Sequence, residues 1–137
     1  MTYGSCAETV CHRNIRVREM GRTFRILNSG ESDVTIVEVD GCLIKQQKAC
    51  DYLFDISKNN AIHYVELKGK NTTKAVGQLL ATMAFFKKTH EGKSKNFYIV
   101  ASRVPGTTAQ KQKLLREFRS KTGCKLFIRS GSLEISI

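Results

Sequence analysis

Proline is almost missing from this chain of 137 residues, with Pro105 its one occurrence. No internal repeat or low-complexity tract accompanies it, so nothing marks an interdomain linker and a single domain over residues 1–137 is expected. No apolar run approaches the roughly 20 residues a bilayer span requires. Met1 to Ser5 also lacks the basic and apolar regions of a signal peptide. A soluble cytoplasmic protein with no membrane partner is the expectation. The five cysteines are odd in number and scattered, which in a reducing compartment predicts free thiols rather than a disulfide framework. Cys6, Cys11 and His12 lie close in sequence, yet no second pair at zinc-site spacing follows them.

Acidic residues are scarce in one half only. Residues 1–67 hold 8 Lys and Arg against 9 acids, whereas residues 68–137 hold 15 against 3. The net charge of +11 therefore belongs to the second half, and such an excess attracts a polyanion, nucleic acid being the commonest in a cytosol. A merely solubilising basic surface is the plainer alternative.

Residues 1–22 are mixed polar and basic and are read as helical or arm-like. Thr23–Leu27 and Val34–Ile44 are β-branched runs around the turn-forming Asn28 to Asp33, which predicts a hairpin. Ala49–Ile56 and Ala61–Lys68 predict a second hairpin across the polar loop 57–60. Asn71, Thr72 and Thr73 offer N-caps to a helix from about Thr73 to Lys88, with Val76, Leu79, Leu80, Met83 and Phe86 at helical spacing. Asn96–Ser102 suits a buried strand. Thr107–Thr122 predicts a second helix closed by Gly123, and Lys125–Arg129 and Leu133–Ile137 predict terminal strands. The order implies an α/β or α+β sheet flanked by helices, its core spanning about 34–129, with residues 61–102 composed as a βαβ crossover.

Side chains alternate along a strand, so Asp51 and Asp55 share a face, as do Tyr64, Glu66 and Lys68. If loop 57–60 closes symmetrically, Ile56 opposes Ala61 and Asp51 opposes Glu66. Like charges so placed destabilise a sheet, and a divalent cation removes that penalty. Mg²⁺, with Mn²⁺ as a substitute, favours such oxygen ligands and promotes phosphoryl chemistry. Lys68 would stabilise developing negative charge or help to activate the attacking water. An ordinary solvent-facing charged patch is the bland alternative. No Ser-His-Asp order, phosphate-binding glycine loop or RNA-recognition signature is present. His63 falls on the strand face opposite Glu66, and His12 and His90 have no partner in the pattern.

The string Asp51-x14-Glu66-Leu67-Lys68-Gly69, on a hairpin followed by a helix and an apolar strand, resembles the PD-(D/E)xK nuclease superfamily of restriction endonucleases and Holliday-junction resolvases. The resemblance covers roughly residues 34–102. The segments Val39-Asp40-Gly41-Cys42, Cys50-Asp51-Tyr52-Leu53 and Val65-Glu66-Leu67-Lys68-Gly69 are also similar to a group of small bacterial proteins. The resemblance implies a restriction-endonuclease-like sheet, metal ligation by Asp51, Glu66 and the Leu67 carbonyl, catalysis by Lys68, and DNA as the favoured substrate. Cys50 replaces the motif's proline. An upstream acid often completes such sites, and Glu8, Glu19, Glu31, Glu38 and Asp40 all remain candidates. Gln78, with Lys74 and Thr82 one turn away, matches a helix glutamine found near superfamily active sites; a solvated polar face is its alternative. Lys70, Lys74, Lys111, Lys113, Arg116 and Arg119 are the candidate phosphate contacts, and Phe85, Phe86 and Phe97 are assigned to the core. The expected activity is Mg²⁺-dependent endonucleolytic phosphodiester hydrolysis. A noncatalytic nucleic-acid-binding or protein-interaction module on the same fold is the alternative, and a homodimer or a larger protein partner is compatible with either.

Overall fold

The computed structural model describes residues 3–67, 71–103 and 106–137. Its elements run β1 (Ala7–Val10), β2 (Asn14–Glu19), β3 (Arg22–Leu27), β4 (Val34–Glu38), β5 (Tyr52–Ile56), β6 (Ala61–Glu66), α1 (Thr72–Phe85), β7 (Ser94–Ala101), α2 (Thr108–Thr122), β8 (Leu126–Ser130) and β9 (Ser132–Ser136). The fold is α+β. A six-stranded sheet has the order β1-β4-β5-β6-β7-β8, and a three-stranded sheet the order β2-β3-β9. No helix among the described residues is long and apolar enough to cross a membrane.

The large sheet is antiparallel from β1 to β6 and parallel from β6 to β8. Parallel neighbours require crossovers, which α1 and α2 supply. Both helices pack on one face, where Leu53, Tyr64, Phe97, Ile99 and Ile128 meet Leu79 of α1 and Phe118 of α2. Phe54, Val65, Tyr98 and Val100 point the other way, against Phe24, Ile26, Ile15 and Val17 of the small sheet. The result is three layers over two apolar cores.

Both helices carry the caps their sequences offer. The Asn71 side chain accepts the Lys74 amide, and Thr107 and Gln110 form a reciprocal capping box before α2 closes at Gly123, at φ 73°. The hairpin register Ile56↔Ala61 is as expected, and β6, α1 and β7 form the expected parallel crossover.

Three expectations are corrected. Residues 3–22 hold one short 3-10 turn, Gly4–Cys6, and are otherwise strands and their connections: Ile15 and Val17 are buried between exposed Arg16 and Arg18, a period-two pattern that makes β2 a strand. It pairs with β3 across Met20 and Gly21, both at positive φ, as a two-residue hairpin turn needs. Strands β3 and β4 do not form a hairpin, because they lie in different sheets. Buried Asn28 causes the break: its amide donates to the His12 and Ser32 carbonyls and accepts the Ser32 amide, which locks the turn and sends the chain to the other layer. The two expected terminal strands, β8 and β9, are present, part at Gly131 and enter separate sheets. Finally, Cys6 and Cys42 form a disulfide with Cα atoms 5.8 Å apart, whereas Cys11, Cys50 and Cys124 are free. Pairing residues 36 apart in sequence, the bond fastens the start of β1 to the turn after β4, a juxtaposition that cysteine spacing alone does not disclose.

Candidate carboxylate site

Asp51 stands one residue ahead of β5, and Glu66 ends β6. The register that carries Ile56↔Ala61 to Tyr52↔Val65 makes them the next opposed pair. Their hydrogen bonds are reciprocal. The Asp51 amide donates to Glu66 Oε1 at 3.0 Å, and the Leu67 amide donates to Asp51 Oδ2 at 2.8 Å. Each carboxylate thus braces the main chain beside the other. Both lie on the helix face, Glu66 fully buried and Asp51 8% exposed, so the solvent-facing patch is excluded.

The neighbouring segment is held from α1. Gln78 Nε2 donates to the Ala49 carbonyl at 3.1 Å, and Thr82 Oγ1 accepts the Cys50 amide while donating to the Gln78 carbonyl. Gln78 is therefore buried rather than solvated, and its bond goes to the chain two residues before Asp51. It positions the site. Thr82, an unassigned neighbour in the sequence reading, shares the task; the four-residue spacing from Gln78 on the apolar side of the helix was its signal. Cys50 is fully buried beside the pair, and burial pushes its thiol well above the ordinary range. A bond from Thr82 opposes that shift, while the Glu66 and Asp51 charges add to it.

The Leu67 carbonyl has an unforeseen partner. Arg22 of β3 donates to it through Nε at 3.1 Å and to Ser102 Oγ through Nη1 at 2.6 Å. The small sheet thereby reaches the end of β6, a contact that only the tertiary fold creates. Asp40 joins the same region by its main chain, its amide donating to the Cys50 carbonyl. Among the described residues no three His, Cys, Asp or Glu side chains gather closely enough to hold a metal. The pair alone remains a fitting donor set for Mg²⁺, which commonly takes one or two carboxylates and fills its other positions with water and phosphate oxygens.

Lys68 and Lys70 lie outside the described residues. Lys74 is exposed on the first turn of α1. Lys111 and Lys113 are near the start of α2, whereas Arg119 is in its last turn. Because the helix connects parallel strands, it runs against them. Its start lies at the Glu66 end of the sheet, and Arg119 lies about 16 Å further along its axis. Lys74, Lys111 and Lys113 are thus brought to the carboxylate end, Arg116 is midway, and Arg119 is carried away from it.

His63, as expected, faces away from the pair, and it contacts the Tyr98 hydroxyl. His90 has the partners that sequence could not supply: Tyr3 at 2.8 Å and Tyr64 at 2.6 Å. Burial lowers both histidines to about 4. Phe86 and Phe97 are in the core, but Phe85 is 55% exposed; adjacent helical positions differ by about 100°, so Phe86 takes the inward face alone.

No family model matches the chain, and no curated protein or solved structure matches it.

Proposed function

We propose that the chain is a metal-dependent nuclease of the PD-(D/E)xK kind, hydrolysing phosphodiester bonds in nucleic acid, DNA being favoured. The observation that carries this reading is the mutual brace of Asp51 and Glu66 at the carboxyl end of a parallel strand. Two like charges side by side on a sheet cost stability, and ligands of open α/β sheets bind beyond the carboxyl ends of the strands.

Asp51 and Glu66 would hold Mg²⁺, which when bound supplies Lewis-acid polarisation of a phosphoryl oxygen and a more acidic water. The protein's own contribution is orientation. Two main-chain amides fix the carboxylates, and Gln78 and Thr82 fix the chain entering Asp51, so the oxygens are set before substrate arrives. Lys68, two residues past Glu66, keeps the role given by the sequence: stabilising negative charge at phosphorus or helping to deprotonate the attacking water. The basic second half attracts the polyanion, with Lys74, Lys111 and Lys113 at the reacting end.

The test is cleavage of labelled single-stranded, double-stranded and branched DNA, and of RNA, with Mg²⁺, Mn²⁺ or EDTA, beside Glu66→Ala/Lys68→Ala. Metal-dependent cutting that the variant lacks supports the reading. One observation favours a second reading, a noncatalytic nucleic-acid module on the same fold: the Leu67 carbonyl, the third implied metal ligand, already accepts from Arg22. Salt-sensitive binding without cutting in either protein would select that module. A cytoplasmic location belongs to the proposal too, and the Cys6–Cys42 bond weighs against a permanently reducing compartment.

A further inference from the structure

Between the first turn of α1 and the N-terminal half of α2 lies a cleft of about 410 Å³. Its walls carry Thr72 and Thr73 from α1 and Lys111 and Lys113 from α2, and its inner side carries Leu114 and Ile128. Its position relative to the site follows from register. Glu66 pairs with Ile99, and Ile99 with Ile128, in one row across three parallel strands. At about 4.8 Å per strand, Ile128 stands about 10 Å from Glu66 on the same sheet face.

We infer that this cleft receives one unpaired nucleotide of a nucleic-acid strand whose phosphodiester about three nucleotides along lies at Asp51 and Glu66. Three features favour that occupant. The volume is at the small-ligand end of binding cavities, suited to one nucleotide at a time. Partly exposed Leu114, packed over buried Ile128, offers an apolar surface to a base, while the lysines and threonine hydroxyls are donors to its phosphate and sugar. The separation of about 10 Å spans about three nucleotide rises of 3.4 Å along one strand. A duplex keeps its bases stacked and shows only groove edges, so it would rest on the rim and leave the apolar surface unused. Glu117 also borders the cleft, but it pairs with Lys113 at 3.9 Å, and an exposed pair of that kind yields readily to a stronger anion. The Gln110 side chain is committed to the Thr107 cap.

The inference deepens the proposed function by naming the substrate class, single-stranded or locally unpaired nucleic acid, and it rests on nucleic acid being the ligand but not on turnover. The experiment is fluorescence anisotropy in EDTA, using a labelled single strand of about twelve nucleotides and the blunt duplex of the same sequence. Four proteins are compared: the unmodified chain, Lys111→Ala/Lys113→Ala, Thr73→Trp, and Arg119→Ala/Lys121→Ala, each checked for an unchanged thermal melt. The first double variant should weaken single-strand binding by roughly tenfold or more, and the second, removing equal charge at the far end of α2, by less than about threefold. Thr73→Trp, which fills the cleft without altering charge, should weaken the single strand and leave the duplex unaffected. Equal losses in the two double variants, tighter binding of the duplex, or an unchanged affinity in Thr73→Trp would each overturn the inference. Cleavage by the unmodified chain is scored separately, so selective single-strand binding without cutting would sink the nuclease reading and leave the cleft assignment standing.

Discussion

The two ends of the β5–β6 hairpin present carboxylates to the same helix-side core and treat them differently. At one end Asp51 and Glu66 brace each other's main chain. At the other, about 13 Å along the strand by its rise per residue, Asp55 accepts from the Tyr3 hydroxyl at 2.8 Å and pairs with Lys93 at 3.5 Å. Tyr3 donates its one proton to Asp55, so the 2.8 Å contact with His90 requires His90 Nε2 to donate to the Tyr3 oxygen. With His90 neutral, Nδ1 then accepts from Tyr64. Hydroxyl, imidazole and carboxylate form a chain that runs through Asp55 Oδ2, while Asp55 Oδ1 is buried without a hydrogen-bond partner among the described residues. This end is a staple for the N-terminal segment. The Asp51–Glu66 end instead sets acid beside acid, an arrangement stability alone does not favour. One strand pair therefore carries a hydrogen-bonded structural cluster at one end and, at the other, the acid pair proposed above to hold a cation.

The largest effect that separates the ends is on activity. Asp51→Asn keeps an acceptor for the Leu67 amide but removes the charge, and should lower Mg²⁺-dependent cleavage by roughly 10³-fold, about 4 kcal/mol of transition-state stabilisation, with an unchanged or raised melting temperature in EDTA. A lowered melting temperature would mean that both ends are structural, and the contrast would be lost. Removing the disulfide comes next. Cys6→Ser/Cys42→Ser frees a loop spanning a sequence separation of 36, for which chain entropy alone gives about 3–4 kcal/mol of destabilisation. Urea denaturation checks it, and a loss below about 1 kcal/mol would show that the N-terminal segment is held by the Tyr3 end without the bond.

How much of this was legible follows from which forces act locally. The Ile56↔Ala61 register is fixed by a short loop and by alternation, so the opposition of Asp51 and Glu66 could be counted from the sequence. The helices announce themselves by spacing and caps. The hairpin assigned to 23–44 failed because a turn-forming segment says that the chain reverses, not which sheet it joins; Asn28 decides that through a bond to His12, sixteen residues away. Strand β2 was hidden by its arginines, which dominate the composition while Ile15 and Val17 keep the alternation. Arg22 on Leu67, Tyr3 on Asp55 and Cys6 on Cys42 are long-range contacts between layers or edges, and no local pattern encodes them. Gln78 was found for its proximity, although its bond serves the main chain beside the acids rather than the acids themselves.

Smaller effects sharpen the staple. Tyr3→Phe deletes the hydroxyl that serves both Asp55 and His90 and leaves buried polar atoms unanswered, at a cost of about 1–3 kcal/mol; a near-zero change in denaturation midpoint would reduce the chain of bonds to ornament. The pH dependence follows the same logic. Burial holds His63 and His90 at about 4 in the fold, against about 6.5 in the unfolded chain. Between those values the unfolded state binds more protons, so stability rises with pH there. The stabilisation is complete above about 6.5 and is lost progressively as pH falls toward 4. His90→Gln, whatever it costs at neutral pH, should flatten part of that slope in melting temperature against pH. An unaltered slope would place the acid sensitivity elsewhere.

The smallest effect lies at the start of α2, on the carboxylate side. Thr107 accepts the Gln110 amide and Gln110 answers the Thr107 amide, so Thr107→Ala removes one half of a capping box and should cost about 1 kcal/mol. The consequence is selective if the comparison holds. Loosening the first turn of α2 disturbs Lys111 and Lys113 but not the Tyr3–His90–Asp55 chain, which draws nothing from that helix. Amide hydrogen exchange should quicken at residues 108–113 and stay unchanged at residues 54–56 and 90. Faster exchange at both would mean that the ends of the hairpin are not independent, and that the staple and the Asp51–Glu66 pair share one cooperative unit.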